Sequence, residues 1–394
     1  MQSTRNIIGD MAILLNEQIT QAWRDTYPPE AQKTLRGFSS QEVADLLGVT
    51  AGRLRQLELA GETPSVARLT RGRRQYTLSD VNVIRELLSK KGGKSAKRYY
   101  HRRRDGEKMQ VIAIANFKGG CAKTTTSLHC AQYLALQGLR VLAIDLDPQA
   151  SLTESFGIRA AMDVDEMQSL YGVICYDTDR PSLKSVIRKS YFSGLDFVPA
   201  HAELNYFEHE TPQAIGDPTL LGGEHFIRRI ASALETVSDD YDVVILDAPP
   251  QLSYMTLNAI FAATGLIIPA QPAMLDVASM SQFLSMLDEM LTVLEESGAD
   301  CGHDFVKVLI TRHNPNDTPQ ATIAAMLRGL FSNTVLASPV LETTAIANAG
   351  LDNKSIYELE RGAVGRDTYL RAIDSVNAVN GEIFQLIKNS WGRS

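Results

Sequence analysis

The stretch Val111-Ile-Ala-Ile-Ala115-Asn116-Phe117-Lys118-Gly119-Gly120-Cys121-Ala122-Lys123-Thr124-Thr125-Thr126 decides how this chain is read. An apolar run enters a loop with two glycines, the loop ends on Lys-Thr, and a helical stretch, Ser127–Gln137, follows. Strand, glycine loop, Lys-Thr and helix form the context that a phosphate-binding loop requires. Successive backbone N–H groups of the loop and helix start converge on anionic oxygens, aided by the positive end of the helix dipole. Gly119 and Gly120 clear side chains from the path of approach. Lys123 supplies a point charge for the β and γ oxygens, and the Thr124 hydroxyl is a hard ligand suited to Mg²⁺. The strict pattern G-x-x-x-x-G-K-[ST] is not met, because Phe117 and Ala122 stand where its glycines belong. The residues follow K-G-G-x-x-K-T-T instead, with a second lysine, Lys118, at the mouth of the loop.

Two further apolar runs end in acid. Val141–Ile144 leads into Asp145-Leu146-Asp147-Pro148-Gln149, and Tyr241-Asp-Val-Val-Ile-Leu-Asp247 leads into Ala248-Pro249-Pro250. A lone aspartate at a strand end is often a helix cap or turn former. Behind a phosphate loop, Asp147 is placed to orient an attacking water or hold a metal-bound one, and Asp247 to support Mg²⁺ through water. Leu266–Ile268 and Val306–Ile310 add two more apolar runs, with helical stretches between several of them. Short β-branched runs alternating with helices predict an α/β fold, a mostly parallel, doubly wound sheet covered on both faces.

Together, Lys118-Gly-Gly-Cys-Ala-Lys123-Thr-Thr, Asp145-Leu-Asp147-Pro-Gln149 and Val243-Val-Ile-Leu-Asp247-Ala-Pro-Pro resemble the motifs of the ParA family of P-loop ATPases. The resemblance spans residues 109–394, and with the N-terminal region it is nearest to the long plasmid-partition members of the RepA branch. It implies an ATP and Mg²⁺ site formed by Lys118, Gly119, Gly120, Cys121, Ala122, Lys123, Thr124 and Thr125. Lys118, Lys123 and Asp147 would be catalytic, with Thr124 and Asp247 at the metal. It further implies that Lys118 reaches the partner's nucleotide across an ATP-sandwiched homodimer. Ala122 departs from the glycine usual in the family. Thr311-Arg312-His313-Asn314-Pro315 and Ala345–Ala349 align with regions that border the base in relatives, which would put Pro315 at the nucleotide, or they are ordinary loops. Arg361, Arg366 and Arg371 fall where relatives carry cations for nonspecific DNA, or they pair with Glu358, Glu360 or Asp374.

Ahead of the ATPase region the pattern is helical. Ile8, Met11, Leu15, Ile19 and Trp23 form one stripe over residues 7–24, ended by Tyr27-Pro28-Pro29. That stripe packs on its own domain or dimerises. Residues 38–90 read as three helices and a hairpin. Ser39-x-x-Glu42 is a capping box, Gly48-Val49 a turn and Thr50 a second cap. Val66–Tyr76 is the hairpin, and Ser79 opens the third helix. This fits a helix-turn-helix with a wing and resembles the MerR type. Arg53, Arg55 and Gln56 lie on the outward face of the second helix, suited to base edges in the major groove. Arg71, Arg73 and Arg74 at the hairpin tip suit phosphates. A module used only for protein contact would leave these side chains solvated. The expected boundaries are 1–36 for the first helix, 37–90 for the winged helix-turn-helix, 91–108 for a basic linker and 109–394 for the ATPase.

Charge divides the same way. Residues 1–108 hold 20 Lys and Arg against 12 Asp and Glu, whereas residues 109–394 hold 19 against 34. Eight of the cations fall between Lys90 and Arg104 with no acid among them, a solvated linker that would also attract phosphates. The four cysteines show no CxxC and no zinc-ligand spacing, so a disulfide framework or zinc module is excluded as the organising feature. The apolar stretch Ala259–Ala270 is broken by Thr264, Gly265 and Pro269 and falls short of the roughly 20 residues of a membrane span.

The expected function is a Mg-ATP-dependent, dimerising switch for plasmid partition that also binds operator DNA and represses its own operon. Its expected partners are a second copy, a ParB-type centromere-binding protein, operator DNA and nonspecific DNA, with no membrane, in a cytoplasmic, nucleoid-associated setting. Two rivals stand beside it. One is a MinD-like positioning ATPase on a membrane, which needs a basic amphipathic tail; the other is an ATP-binding regulator that barely hydrolyses.

Overall fold

The computed structural model describes residues 4–26, 33–68, 74–91, 93–221, 224–360, 362 and 364–393. They form two compact units, Met1–Thr34 and Leu35–Ser394. The first unit is the helix α1 (Thr4–Thr26). Its stripe residues Ile8, Met11 and Leu15 are all exposed. The side chains of Ile19 and Trp23, and the Tyr27-Pro28-Pro29 stop, lie outside the described residues.

The second unit opens with α2 (Ser40–Leu47) and α3 (Ala51–Leu59), the short strands β1 (Ala67–Arg68) and β2 (Arg74–Gln75), and α4 (Leu78–Lys91). The Ser39–Glu42 capping box forms, and Gly48 ends α2 at φ 59°, a left-handed turn that glycine adopts without strain. Thr50 caps α3 by accepting the Arg53 N–H. The strands pair antiparallel, Ala67 opposite Gln75. The hairpin tip with Arg71 and Arg73 lies outside the described residues. The third helix begins one residue before Ser79, at Leu78. Thr77 accepts the Asp80 N–H at 3.1 Å while the Asp80 carboxylate accepts the Thr77 N–H at 2.8 Å, a reciprocal cap that Ser79 has no partner to make. Phe38, Val43, Leu54, Leu57, Tyr76, Val81 and Ile84 fill the core of this module.

The basic stretch expected as a linker has contacts of its own. Lys90 pairs with Glu86, Lys91 with Glu62 at 2.5 Å, and the Arg98 guanidinium donates to Gly48 O. His101 bonds Gln137 O at 3.1 Å, and Arg102 donates to Gly138 O at 3.2 Å. Carbonyls left open at helix ends and turns draw these donors in. Winged module and α/β body thereby belong to one compact unit.

The body runs β3 (Gln110–Ile114), α5 (Lys123–Leu136), β4 (Val141–Asp145), α6 (Ser151–Ser155), α7 (Ala160–Asp163), α8 (Leu170–Ile174) and α9 (Leu183–Val186). Then come β5 (Arg188–Lys189), β6 (Leu195–Val198), α10 (Leu204–Gly216), α11 (Arg229–Glu235), β7 (Val243–Asp247) and α12 (Tyr254–Ala262). The last elements are β8 (Gly265–Ala270), α13 (Met274–Glu296), β9 (Phe305–Ile310), α14 (Thr318–Phe331), α15 (Thr344–Leu351) and α16 (Arg366–Ser390). The sheet order is β5-β6-β4-β7-β3-β8-β9, with β5 antiparallel to β6 and the other pairs parallel. This is the expected doubly wound α/β sheet. Every residue of β3, β4 and β7 is buried. Alternation along β3 sends Ile112 and Ile114 into one face of the core and Val111 and Ala113 into the other. A buried side chain of this size is worth about 1.5–3 kcal/mol, so continuous apolar runs here specify a strand covered twice. The carboxyl ends of β3, β4, β7, β8 and β9 share one edge of the sheet, where open α/β folds place their ligands.

Candidate functional site

The glycine loop leaves β3 at that edge and is held by three contacts at the carboxyl ends of β8 and β9. Asn116 Nδ2 donates to Pro269 O at 2.7 Å, Gln271 Nε2 to Gly120 O at 2.8 Å, and Thr311 Oγ1 to Cys121 O at 3.0 Å. A Cβ built on Gly119 or Gly120 would meet nothing within 4 Å, so the mouth of the loop is open, and Gly120 takes φ 80°. Ala122 takes φ 72° as the N-cap of α5. This is left-handed backbone, which glycine adopts without strain and alanine does not. The helix therefore starts at Lys123 with its free N–H groups directed at the loop.

Lys123 is buried, with Nζ donating to Lys118 O at 2.9 Å. Thr124 and Ser127 follow on α5, and the Ser127 hydroxyl donates to Asp247 Oδ1 at 2.8 Å. Asp247 Oδ2 is buried and makes no hydrogen bond. Burial raises the Asp247 pKa, while the Ser127 and Thr124 hydroxyls and the Lys123 charge pull it back. An orphaned carboxylate oxygen beside a threonine hydroxyl and a lysine is a donor set that fits a hard cation. Mg²⁺ keeps several waters and binds substrate phosphates rather than a protein cage. No cluster of three or more His, Cys, Asp or Glu that could hold a metal occurs among the described residues. Thr124 and Asp247 are thus the side chains available for Mg²⁺, and the loop amides with Lys123 for the nucleotide phosphates.

Asp147 lies half-buried beyond β4, with Oδ1 accepting the Gln149 N–H at 2.9 Å. Burial raises its pKa, and Lys123 is near enough to pull it down. Asp145, to which the sequence reading gave no role, is fully enclosed. It accepts the Thr153 N–H and hydroxyl, each at 2.8 Å, and the Asp147 N–H at 3.1 Å, which sets the Asp147 turn. Burial, then the charge of Asp247, push the Asp145 pKa up. Lys118 points away from its own loop. Its Nζ lies 2.5 Å from Asp276 Oδ2 in the first turn of α13. Asp276, Ser127 and Gln271 escaped the sequence reading, whereas Thr311, expected in a segment that borders the base, also holds the loop at Cys121 O.

The structure gathers Lys118, Gly119, Gly120, Cys121, Ala122, Lys123, Thr124, Thr125, Asp147 and Asp247 at one edge. Pro315 sits exposed on the turn after β9, four residues past Thr311. The DNA candidates lie elsewhere. Arg53, Arg55 and Gln56 are exposed along α3. The Arg74 guanidinium pairs with Glu58 at 2.9 Å. Arg366 and Arg371 are exposed on α16, and among the described residues neither is in an ion pair. Glu358, named as a possible partner for them, is buried and accepts from Gln132.

A family model described as an AAA domain matches residues 109–297, and one described as MerR HTH family regulatory protein matches residues 38–92. The chain is 43% identical over 388 residues to a protein bearing the name replication protein A from Sinorhizobium fredii (strain NBRC 101917 / NGR234), covering 98% of this chain and 95% of that one. It is 30% identical over 373 residues to protein SopA of Escherichia coli (strain K12), covering 92% of each. The solved structure of a partition protein superposes with a TM-score of 0.65 at 22% identity, over 99% of this chain and 100% of that one, a likeness of fold. Cobyrinic acid a,c-diamide synthase from Mycobacterium smegmatis, solved with an ATP analog and magnesium, matches at 29% identity and a TM-score of 0.51, over 62% of this chain and 94% of that one. With the K-G-G-x-x-K-T-T loop, its two acidic strand ends and a winged module ahead of them, this chain belongs to the ParA family of partition ATPases, as a member with an N-terminal helix-turn-helix domain.

Proposed function

We propose that this protein is a Mg-ATP-dependent switch for plasmid partition that dimerises on ATP and binds operator DNA to repress its own operon. The observation that carries the nucleotide half is the unbonded, buried Asp247 Oδ2 beside Thr124 and Lys123. Mg²⁺ bound there would neutralise charge developing on the phosphates. Lys123 and the loop amides hold those oxygens in place, and Asp147 orients the attacking water by accepting a hydrogen bond from it. Lys118 is the residue for the partner's nucleotide, since its ammonium lies outside its own loop. Each nucleotide then touches both copies, so ATP stabilises the dimer by mass action and hydrolysis dissolves it. Turnover is slow until a ParB-type protein and DNA stimulate it.

The DNA half rests on Arg53, Arg55 and Gln56, exposed on a helix whose other side is buried. Arg366 and Arg371 serve nonspecific DNA, and the exposed stripe of α1 serves dimer contacts. Residues 37–90 and 109–394 act as operator module and ATPase, in a cytoplasmic, nucleoid-associated protein. The membrane rival is disfavoured, because Ile383, Phe384 and Ile387 of its tail stripe are buried in the core and Lys388 stacks on Phe384. No helix among the described residues is long and apolar enough to cross a membrane. The test is ATP turnover with and without nonspecific DNA and the product of the adjacent gene. Stimulation by both is expected, and stimulation by anionic vesicles instead would overturn the reading.

A further inference from the structure

The helix α5 has the nucleotide loop at one end and the winged module at the other. Its N-terminus begins at Lys123, and its 14 residues span roughly 21 Å at about 1.5 Å each. At the far end the carbonyls of the last turn and of the residues just beyond it are occupied by three donors. Arg85 of α4 donates to Leu136 O at 2.6 Å, His101 bonds Gln137 O at 3.1 Å, and Arg102 donates to Gly138 O at 3.2 Å. Arg85 is itself buried, and its other terminal nitrogen donates to Asn82 Oδ1 at 2.5 Å within α4. It is therefore fixed at both ends.

A second grip lies halfway along the helix. His129 Nε2 accepts the Ile356 N–H at 3.1 Å, and Gln132 Nε2 donates to Glu358 Oε2 at 3.2 Å. The carbonyl of Tyr357, between those two residues, accepts from Arg36 Nε at 3.1 Å, just ahead of the winged module. Around these polar contacts the apolar core is continuous: Phe38, Leu47 and Ile84 of the winged module belong to one buried cluster with Leu128, Leu134 and Leu136 of α5. A stiff helix clamped at its end and on its flank has little freedom to move without carrying α4 with it.

We propose that α5 transmits nucleotide occupancy to the operator-binding module, and that Arg85 is the positioning residue that couples the two. This rests on the operator-binding reading above. If α4 and α5 open together, a ligand on the loop must protect both. A ligand at 100 times its Kd lowers the population of any opening that destroys its site by about 100-fold. Amides of α4, far from the loop, then slow by the same factor as those of α5.

Hydrogen–deuterium exchange on the full chain, with Mg²⁺ and ATPγS at 100 times Kd, measures this. In the natural protein α4 and α5 are expected to slow together by about 100-fold. In Arg85→Gln, α5 keeps its protection while α4 slows by less than tenfold. Arg85→Lys, which retains a donor, keeps the natural pattern. If Arg85→Gln fails to fold, Arg102→Ala combined with Arg36→Ala, both on partly exposed side chains, is expected to reduce the α4 response in the same direction. Protection of α5 without α4 in the natural protein overturns the proposal, and so does a full α4 response in Arg85→Gln. Operator affinity by fluorescence anisotropy separates the two readings: absence of operator binding refutes the function assigned to the winged module and leaves the exchange result to judge the coupling. Where operator binds, nucleotide and operator must change each other's affinity by one common factor, and that factor is expected to fall to about one in Arg85→Gln.

Discussion

Substituting His129 by Gln removes an imidazole whose nitrogens are both committed. Nδ1 lies 2.6 Å from Thr125 O, a carbonyl that can only accept, so Nδ1 carries the proton. Nε2 lies 3.1 Å from the Ile356 N–H, which can only donate, so Nε2 must be bare. The geometry thus admits the neutral ring in one tautomer, on the helix that begins with Lys123. Burial accordingly lowers the His129 pKa below its ordinary 6.5, with Thr125 O and the charge of Glu358 opposing. A folded value below the unfolded one means the unfolded chain takes up the proton first, so stability is full above pH 6.5 and falls as the medium is acidified. Each pH unit below 6.5 costs about 1.4 kcal/mol for as long as the folded ring stays neutral. Between pH 7.5 and 5.5 the natural protein should lose up to about 1.4 kcal/mol through this group alone. Gln can donate to Thr125 O and accept from Ile356 without titrating, so His129→Gln should lack that part of the pH dependence. His101 and His313, lowered chiefly by burial, act in the same direction but are present in both proteins and cancel. Urea unfolding followed by tryptophan fluorescence at pH 7.5, 6.5 and 5.5 gives the two slopes. Equal slopes would refute the tautomer assignment and with it the grip of α5 on the Ile356–Glu358 turn.

Four further substitutions, two around the nucleotide loop and two on α3 and α16, have definite expected outcomes. Ala122 at φ 72° bears a left-handed penalty of roughly 1–2 kcal/mol, partly offset by the extra entropy glycine has when unfolded, so Ala122→Gly should gain about 1 kcal/mol in urea unfolding; no gain, or a loss, would show the loop to be unstrained. Asp276→Asn frees Lys118 from a 2.5 Å ion pair, and the ATP-dependent dimer should then form at about tenfold lower protein concentration in sedimentation, a change of about 1.4 kcal/mol. Weaker dimerisation would mean that Asp276 holds Lys118 in its working position. Arg53→Ala should cost about 1–3 kcal/mol in operator affinity and relax base preference, while Arg366→Ala should leave the operator untouched and lower the salt slope of nonspecific binding by about 1.

What the sequence made legible was what is contiguous in it. The glycine loop, the acid-terminated strands and the Ser39 and Thr50 caps each complete their logic within about ten residues, and each forms where expected. β6 went unread because its four residues include Asp196, which breaks the apolar run. That aspartate is tolerated because Tyr241 and Lys189 donate to it, each at 2.7 Å, and neither contact has a local signature. The same distance in sequence hid the supports of the site. Ser127 meets Asp247 across 120 positions, and Lys118 meets Asp276 across 158. A serine inside a helix and an aspartate in the first turn of another look ordinary until the sheet order sets β3 between β7 and β8.

The basic stretch shows most clearly how the fold reassigns a pattern. Read as charge alone, eight cations without an acid repel one another and belong in water or on phosphates. In the folded chain Arg98, His101, Arg102 and Arg103 face carbonyl oxygens at a helix end or turn, where no formal charge announces a partner. The preference has a plain cause: the C-terminus of α5 presents unpaired carbonyls and the negative end of a helix dipole, and a guanidinium satisfies both at once. Cations that composition assigns to DNA are thereby partly consumed in joining the winged module to the ATPase. Pairing with Glu58 likewise offsets the charge of Arg74 on the wing. That leaves Arg53 and Arg55 as the side chains of the module whose exposure and position still favour an external partner, so base readout along α3 should outweigh phosphate contacts from the described part of the wing in setting operator affinity.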